Sequence, residues 1–357
     1  MTQITVKTTC PYDILIGDGL LRRSGELARQ VNNGHRALIV TDSNVAPLYS
    51  EKVAASFIRA GFETEIFTFP AGEQSKRLDT ISEIYARLAQ ANFTRKDLLV
   101  AIGGGVTGDM TGFAAATWLR GIDFIQLPTT LLAQVDSSVG GKTGVDIPQG
   151  KNLVGAFRQP VRVVADISTL DTLTHAVFTD GMAEVIKTAA IMDASLFELL
   201  MDDRAMSSGS RRDIISRCID IKRRVVERDE YEGGERKLLN FGHTLGHALE
   251  KHYNYSDITH GIAVAVGMNK ITAASERRGL TAKGTAAKLE LLLKRWGLPV
   301  ADKACLEDYL SGIRLDKKRA GADIDLVLLR DIGHAFIHTL PMADLASFLA
   351  VTGEDNT

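Results

Sequence analysis

Along the first half of the chain, short apolar runs alternate with longer stretches of helical spacing. DILIG, RALIVTD, TEIFTF, DLLVAIGG and FIQLP have strand length and strand residues, and 47–60, 76–91 and 106–118 between them repeat their apolar positions every three to four residues. This alternation predicts a mostly parallel sheet with helices on its faces. Gly and Asp follow several of the strands, where such sheets hold ligands. From about 178 to 311 the period is helical almost throughout, and near the end IDLVLLR and HAFIHTL read as a hairpin. The expected fold class is an α/β N-terminal Rossmann-like domain with a mostly parallel sheet, followed by a mainly α-helical C-terminal domain. The boundary falls inside DISTLDTLTHAV, dividing the chain into 1–172 and 173–357.

Composition narrows the classes. With 357 residues, 24% charged and a net charge of −2, the chain is not built to coat nucleic acid or an anionic membrane, so any basic site must be local. Its three cysteines are too few and too scattered for a disulfide framework or a Cys-based zinc site. The N-terminal MTQITVKTTC lacks a signal peptide's apolar core, and no apolar run reaches the roughly 18 residues of a membrane span. A cytoplasmic setting is expected.

Three segments carry candidate chemistry. The first is DLLVAIGGGVTGDMTG, where Gly103-x-Gly105-x-x-Gly108 sits between a strand and a helix. That context fits a dinucleotide turn: glycines admit the pyrophosphate, and the helix N-terminus offers N–H groups and a positive dipole end. The plain alternative is a turn that only tightens strand–helix packing. The motif does not lie in the first βα unit, because RALIVTD precedes it; Asp42, ending that earlier strand, is placed to take the ribose hydroxyls.

The second is LLNFGHTLGHALEKH. Read as one helix from Arg236, Asn240 lies near 40°, His243 near −20° and His247 near 20°, opposite Leu238, Phe241, Leu245 and Leu249 at about 140–220°. A helix starting only at Asn240 takes Arg236 out of this stripe. A solvated polar face is the bland reading, but imidazoles stand where Lys and Glu are usual. His260, opening an apolar helix, and Glu184, set in GMAEVIKTAA with Lys187 at i+3, are possible partners. By itself the Glu184–Lys187 spacing reads as an intrahelical ion pair, whereas two His and one Glu match an open catalytic zinc site. The third segment, PTTLLAQVDSSVGGKTGVDIPQGKNLVGAF, sets Asp136, Lys142, Lys151 and Asn152 among glycines. A surface loop has this composition, and so does a phosphate-holding one.

With PAGEQSK, GGGVTGD, FAAATWLRG, GKNLVGAF, HG-x-AVAVGM and LDKK added to those segments, the chain resembles the 3-dehydroquinate synthases, of the sugar-phosphate cyclase superfamily, over nearly its whole length. The resemblance implies a Zn²⁺ or Co²⁺ site at Glu184, His243 and His260. It implies NAD contacts from Asp42, Glu73, Lys76, Gly103, Gly104, Gly105, Val106, Asp109, Thr129 and Thr130, with Lys142 and Lys151 shared between cofactor and substrate. Around the substrate, a phosphorylated sugar acid, it implies Asp136, Lys142, Lys151, Asn152, Lys187, Lys222, Arg236, Asn240, His247 and Lys317 or its neighbour Lys318. Arg120 reaches a neighbouring subunit's site in the family, which implies a homodimer. The implied reaction turns 3-deoxy-D-arabino-heptulosonate 7-phosphate into 3-dehydroquinate and phosphate by transient oxidation, phosphate elimination, reduction, ring opening and aldol closure.

Two departures stand out. Where the family has TLP-x-RE, this chain has Thr172-Leu173-Thr174-His175-Ala176-Val177, and Ile262 replaces the Glu of HGEAV. The first puts NAD contacts from that linker in question; metal binding is expected to survive the second. Three rivals are weighed: a metal-dependent alcohol or glycerol dehydrogenase, which has no need of the cationic cluster; a sister sugar-phosphate cyclase; and an NAD-binding sensor, which has no need of an open metal.

Overall fold

The computed structural model describes the chain apart from Asp203, Ser208, Tyr255, Ser256 and residues 318–321 and 351–357, with the backbone alone at 314–317. It divides into two compact units, one of residues Met1–Thr174 and Lys222–Tyr231, the other of His175–Ile221 and Glu232–Thr357. The segment Lys222–Tyr231, which a single cut near residue 172 leaves out, packs with the first unit.

The first unit is built on a seven-stranded sheet. Its strands are β1 (Thr2–Val6), β2 (Tyr12–Gly17), β3 (Arg36–Asp42), β4 (Glu63–Phe69), β5 (Leu98–Gly103), β6 (Asp123–Pro128) and, after a separate hairpin of β7 (Lys142–Ile147) and β8 (Gly150–Phe157), β9 (Arg162–Asp166). The spatial order is β1-β2-β9-β6-β5-β3-β4, parallel throughout except for β1 against β2. Every residue of β5 and β9 is buried, and β5 accordingly reads as an unbroken apolar run. Helices α1 (Ser24–Arg29) and α2 (Ala46–Arg59) cover one face of the sheet; Leu27, Val53 and Phe57 pack there on Ile39, Val100 and Ile125. Helices α3 (Leu78–Gln90) and α4 (Gly105–Thr117) cover the other; Ile84, Leu88 and Met110 pack there on Leu38, Val40 and Phe124. From β3 the chain winds outward to β4, then returns to lay β5 on the other side of β3. The carboxyl ends of β3 and β5 are therefore the switch point at which a doubly wound sheet opens a ligand crevice.

The second unit is mainly helical: α5 (His175–Met192), α6 (Ala194–Leu199), α7 (Arg211–Arg228, whose last turns belong to the first unit), α8 (His243–His252), α9 (His260–Arg277), α10 (Thr285–Arg295), α11 (Leu306–Lys317) and α12 (Leu345–Leu349). The expected terminal hairpin is β10 (Asp323–Asp331) against β11 (His334–Pro341), antiparallel. The α/β sheet followed by a helical region is the fold class the residue pattern predicts. No helix among the described residues is long and apolar enough to cross a membrane.

Two readings need correction. A single helix from Arg236 does not exist: Glu235–Asn240 is a 3-10 turn, Phe241 is non-helical (ψ 124°), and α8 starts at His243. Arg236 and Asn240 thus leave the helical stripe, because Gly242 at φ 80° turns the chain before α8 begins. The segment with Lys142, Lys151 and Asn152 is not a loop but the β7–β8 hairpin.

Candidate active site

In the first unit, Gly104 caps α4 and Gly105 opens it, so the first-turn N–H groups of a buried helix lie just beyond β5. The turn is shaped for backbone rather than side chain. A Cβ on Gly103 would lie 2.3 Å from Thr107 Oγ1, and on Gly104 or Gly105 3.2 Å from Thr130 or Ser137. Asp42, ending the adjacent β3, accepts the Asn44 and Val45 N–H groups through Oδ1 and Thr107 Oγ1–H through Oδ2 at 3.4 Å. The Thr129 N–H donates to the Gly103 carbonyl (2.9 Å), and Thr130 Oγ1 accepts from the Ala133 N–H, so both threonines border the turn. Val106 lies partly buried against the core on that face. A dinucleotide pyrophosphate therefore fits: bare glycine backbone, helix N-terminus and a carboxylate one strand away.

Beside this turn stands a buried ionic network. Lys76 Nζ lies 2.6 Å from Asp109 Oδ2 and donates to Asn152 Oδ1 at 2.6 Å. Burial opposes the ammonium charge, but Asp109, Glu73 and Asp146 outweigh it and hold the Lys76 pKa above its ordinary value. Lys151 Nζ is 3.6 Å from Glu73 Oε1. Asp146 was not singled out in the sequence, yet its N–H donates to the Lys76 carbonyl (2.7 Å) and its Oδ1 accepts the Asn152 N–H (2.8 Å), tying the hairpin to Lys76. The signal was present as the last residue of GGKTGVD. Lys222, on the part of α7 that belongs to this unit, is ion-paired with Asp136 and donates to the Asp136 carbonyl. Lys142 begins β7 and is exposed. Arg120 lies apart from these groups in sequence, in a strained corner where Leu119, Arg120 and Gly121 have φ of 50°, 67° and 129°.

In the second unit, glycines set the distances. Helices α8 and α9 cross so closely that a Cβ on Gly246 would lie 3.2 Å from Ala263 backbone, and one on Gly267 2.1 Å from the Gly242 carbonyl oxygen. At the start of α9, a Cβ on Gly261 would lie 2.1 Å from the Asp180 carbonyl oxygen of α5. Asp180 Oδ1 also accepts the Gly261 N–H at 2.7 Å. These approaches bring Glu184 of α5, His243 of α8 and His260 of α9 together, with one ligand atom from each within 4.8 Å of the others. His243 Nε2 is 3.7 Å and His260 Nε2 3.4 Å from Glu184 Oε1.

Glu184 is fully buried, and neither of its oxygens makes a hydrogen bond of ordinary geometry; it is ion-paired with Lys187 at i+3, as the spacing predicts. A buried carboxylate met by two imidazole edges is a donor set for an open, three-ligand divalent metal site. Burial first, then the charges of Lys187, His260 and His247, push the His243 pKa well below its usual value, so its imidazole is neutral. Its Nδ1–H points at the Phe241 carbonyl (3.2 Å), which leaves Nε2 as the ligating atom. Burial also opposes charge on His260, but Glu184 and Glu250 outweigh it and push the pKa up to about 10. The Ile262 departure leaves this cluster intact.

His247 lies one turn beyond His243 and is exposed, its ring centroid 5.4 Å from that of His243. Arg236 is buried in the 3-10 turn, and Asn240 Nδ2 donates to Glu232 Oε1 at 3.0 Å. Lys317 closes α11, but its side chain and all of Lys318 lie outside the described residues.

Comparison with known proteins agrees with this geometry. Family profiles described as 3-dehydroquinate synthase N-terminal and C-terminal match residues 66–180 and 181–319. A 3-dehydroquinate synthase of Clostridium acetobutylicum is 45% identical over 95% of this chain and 96% of its own. A 2-deoxy-scyllo-inosose synthase, solved with carbaglucose-6-phosphate, NAD⁺ and Co²⁺, is similar with a TM-score of 0.87 and 26% identity over 98% of this chain and 99% of its own. A 2-epi-5-epi-valiolone synthase of Streptomyces hygroscopicus, solved with NAD⁺ and Zn²⁺, gives a TM-score of 0.87 and 25% identity over 98% of each chain. The doubly wound sheet followed by a helical unit, with full-length matches to both synthases, places the chain among the sugar-phosphate cyclases. Within that class, the chain belongs to the 3-dehydroquinate synthase family.

Proposed function

We infer that the chain is a 3-dehydroquinate synthase, converting 3-deoxy-D-arabino-heptulosonate 7-phosphate to 3-dehydroquinate and phosphate. The observation that carries this reading is the 45% identity to a 3-dehydroquinate synthase across nearly the full length of both chains, against 25–26% to sister cyclases of the same fold. In this reading residues 1–172 form the NAD-binding domain and 173–357 the metal- and substrate-binding domain.

Bound NAD supplies a reversible oxidation of a secondary alcohol, and a bound Zn²⁺ or Co²⁺ polarises the oxygen concerned. Glu184, His243 and His260 hold the metal. The Gly103–Gly105 backbone receives the pyrophosphate, and Asp42 the ribose hydroxyls. Val106, Asp109, Thr129 and Thr130 border the cofactor, Glu73 and Lys76 anchor the β7–β8 hairpin beside it, and Lys142 and Lys151 reach it from that hairpin. For a substrate carrying a phosphate and a carboxylate, Lys142, Lys151 and Lys222 act as point charges, and the planar fork of Arg236 suits the carboxylate. Asp136 positions Lys222, and Lys187 balances Glu184. Asn152, Asn240, His247 and a lysine of the 317–318 pair give hydrogen bonds to the substrate. Arg120 works across a homodimer interface, and the enzyme works in the cytoplasm.

The test is incubation with the heptulosonate phosphate, catalytic NAD⁺ and Zn²⁺. Phosphate release with a flat nicotinamide absorbance, and dehydroquinate as product, is expected. Stoichiometric NADH growth would make it a dehydrogenase; a different carbocycle would make it a sister cyclase.

A further inference from the structure

Glu250 is a carboxylate that the reaction as described does not use. It lies on α8 seven residues after His243 and three after His247, hence on the same stripe, and is 3% exposed. Its Oε1 lies 3.5 Å from His260 Nδ1, on the opposite side of the ring from Glu184, whose Oε1 faces Nε2 at 3.4 Å. The imidazole of His260 is thus held edge-on between two buried carboxylates from different helices.

We propose that Glu250 is a positioning residue for the metal site: it accepts the Nδ1–H of His260, fixing the tautomer and the ring plane so that the Nε2 lone pair faces the metal. The two histidines would then be oriented by different devices, His243 by the Phe241 carbonyl and His260 by a full negative charge. A carboxylate behind a ligating imidazole raises its basicity as well as aiming it, and such partners commonly change metal affinity about 10- to 100-fold. His247, exposed on the same stripe, forms with Glu250 and His260 a second group of possible donors, one atom from each within 4.8 Å of the others, and stands outside the Glu184, His243 and His260 set. This inference rests on the metal site proposed above.

The experiment titrates the metal-free full-length protein and its Glu250→Gln and Glu250→Ala variants with Zn²⁺ against a chromophoric chelator, and records the visible spectrum of each with Co²⁺. His243→Ala serves as the reference for a lost ligand. Expected are one metal per parent chain, affinity lowered about 10- to 100-fold in Glu250→Ala, and an intermediate loss in Glu250→Gln, whose amide oxygen still accepts the Nδ1–H but lacks the charge. The Co²⁺ spectrum should shift in intensity while keeping the band pattern of an unchanged ligand set. Equal affinities in the parent and both variants would overturn the proposal. So would two metals per parent chain falling to one on Glu250 replacement, which would make Glu250 a ligand of a second ion with His247 and His260. If Glu250→Ala does not fold, the Glu250→Gln affinity and spectrum decide alone. A parent that binds no metal, or a His243→Ala variant that binds as tightly as the parent, sinks the underlying metal site instead.

Discussion

His243 and His247 lie one helical turn apart, and their surroundings separate their roles. The first is half-buried against Glu184, with Nδ1 committed to a backbone carbonyl; the second is exposed. Replacing His243 by Ala removes one of three ligands and should lower Zn²⁺ affinity at least 100-fold. Replacing His247 by Ala should leave the metal in place and lower kcat about 100- to 10,000-fold, the range for loss of a positioned proton-transfer group. Metal content after dialysis, with kcat at saturating substrate, checks both; equal metal loss in the two variants would mean the helix face is assigned wrongly. At this scale much was legible. Imidazoles on a polar stripe are unusual enough to notice, and the Glu184–Lys187 pair follows from spacing. Glu250 and Asp146 were passed over for a physical reason. Their chemistry lies in what they hold, His260 in one case and Asn152 in the other, and each partner stands on the next element, so no spacing within one helix or strand shows the pair.

Among the elements, the crossing of α8 and α9 does the assembling, and its glycines leave no room for even a methyl group. Gly267→Ala would set a Cβ 2.1 Å from the Gly242 carbonyl oxygen, so the helices must separate. Overpacking of this kind costs about 1–3 kcal/mol. Because the same crossing brings His243 to His260, Zn²⁺ affinity should fall alongside the melting temperature. Gly209→Ala, with nothing within 4 Å of the added carbon, should change neither measurably. Thermal melts of the metal-free proteins and zinc titrations check this pair; a lower melting temperature with unchanged zinc affinity would uncouple the crossing from the site. The helices and central strands follow from the apolar pattern, since burial on one stripe or on both faces dictates their spacing. The β7–β8 hairpin did not, because Gly144 pairs directly with Gly155, and glycine at such positions erases the strand signal. Each is nonetheless required there: a Cβ on Gly155 would lie 2.3 Å from the Thr143 carbonyl oxygen. The start of α8 was misread because a 3-10 turn repeats closely enough to mimic one more turn of helix.

For the molecule as a whole, the sheet and helical region were legible from the switch in period between the two halves. The strand order was not, because β9 inserts between β6 and β2, and β2 is distant from it in sequence. Quaternary structure belongs to this scale too. The corner at Leu119–Gly121 holds two non-glycine residues in the left-handed region, and its Arg120 is the residue proposed to act in a second copy's site. Arg120→Ala and Lys142→Ala, each nearly inactive alone, should recover activity when their subunits exchange, because each mixed dimer then holds one site with both wild-type groups. Recovery is bounded by that one site in two for half the dimers, roughly a quarter of the parental rate by random pairing. No recovery, with exchange proven by differently tagged subunits, would place Arg120 in its own subunit's site.

The position of β9 also bears on how the chain is made. Strand β2 touches the rest of the sheet only through β9, and the Asp166 carboxylate at its end accepts the Gly19 and Leu21 N–H groups, 2.9 Å each. On the ribosome, the β1–β2 hairpin emerges before the rest of the sheet and waits with one edge of β2 unpaired while β3 to β8 are synthesised. A two-stranded hairpin is marginal by itself, and an open apolar edge is a template for pairing with other chains. Translation that stalls before Arg162 therefore leaves an adhesive strand edge without the strand that pairs it, and five late residues turn β2 into an interior strand.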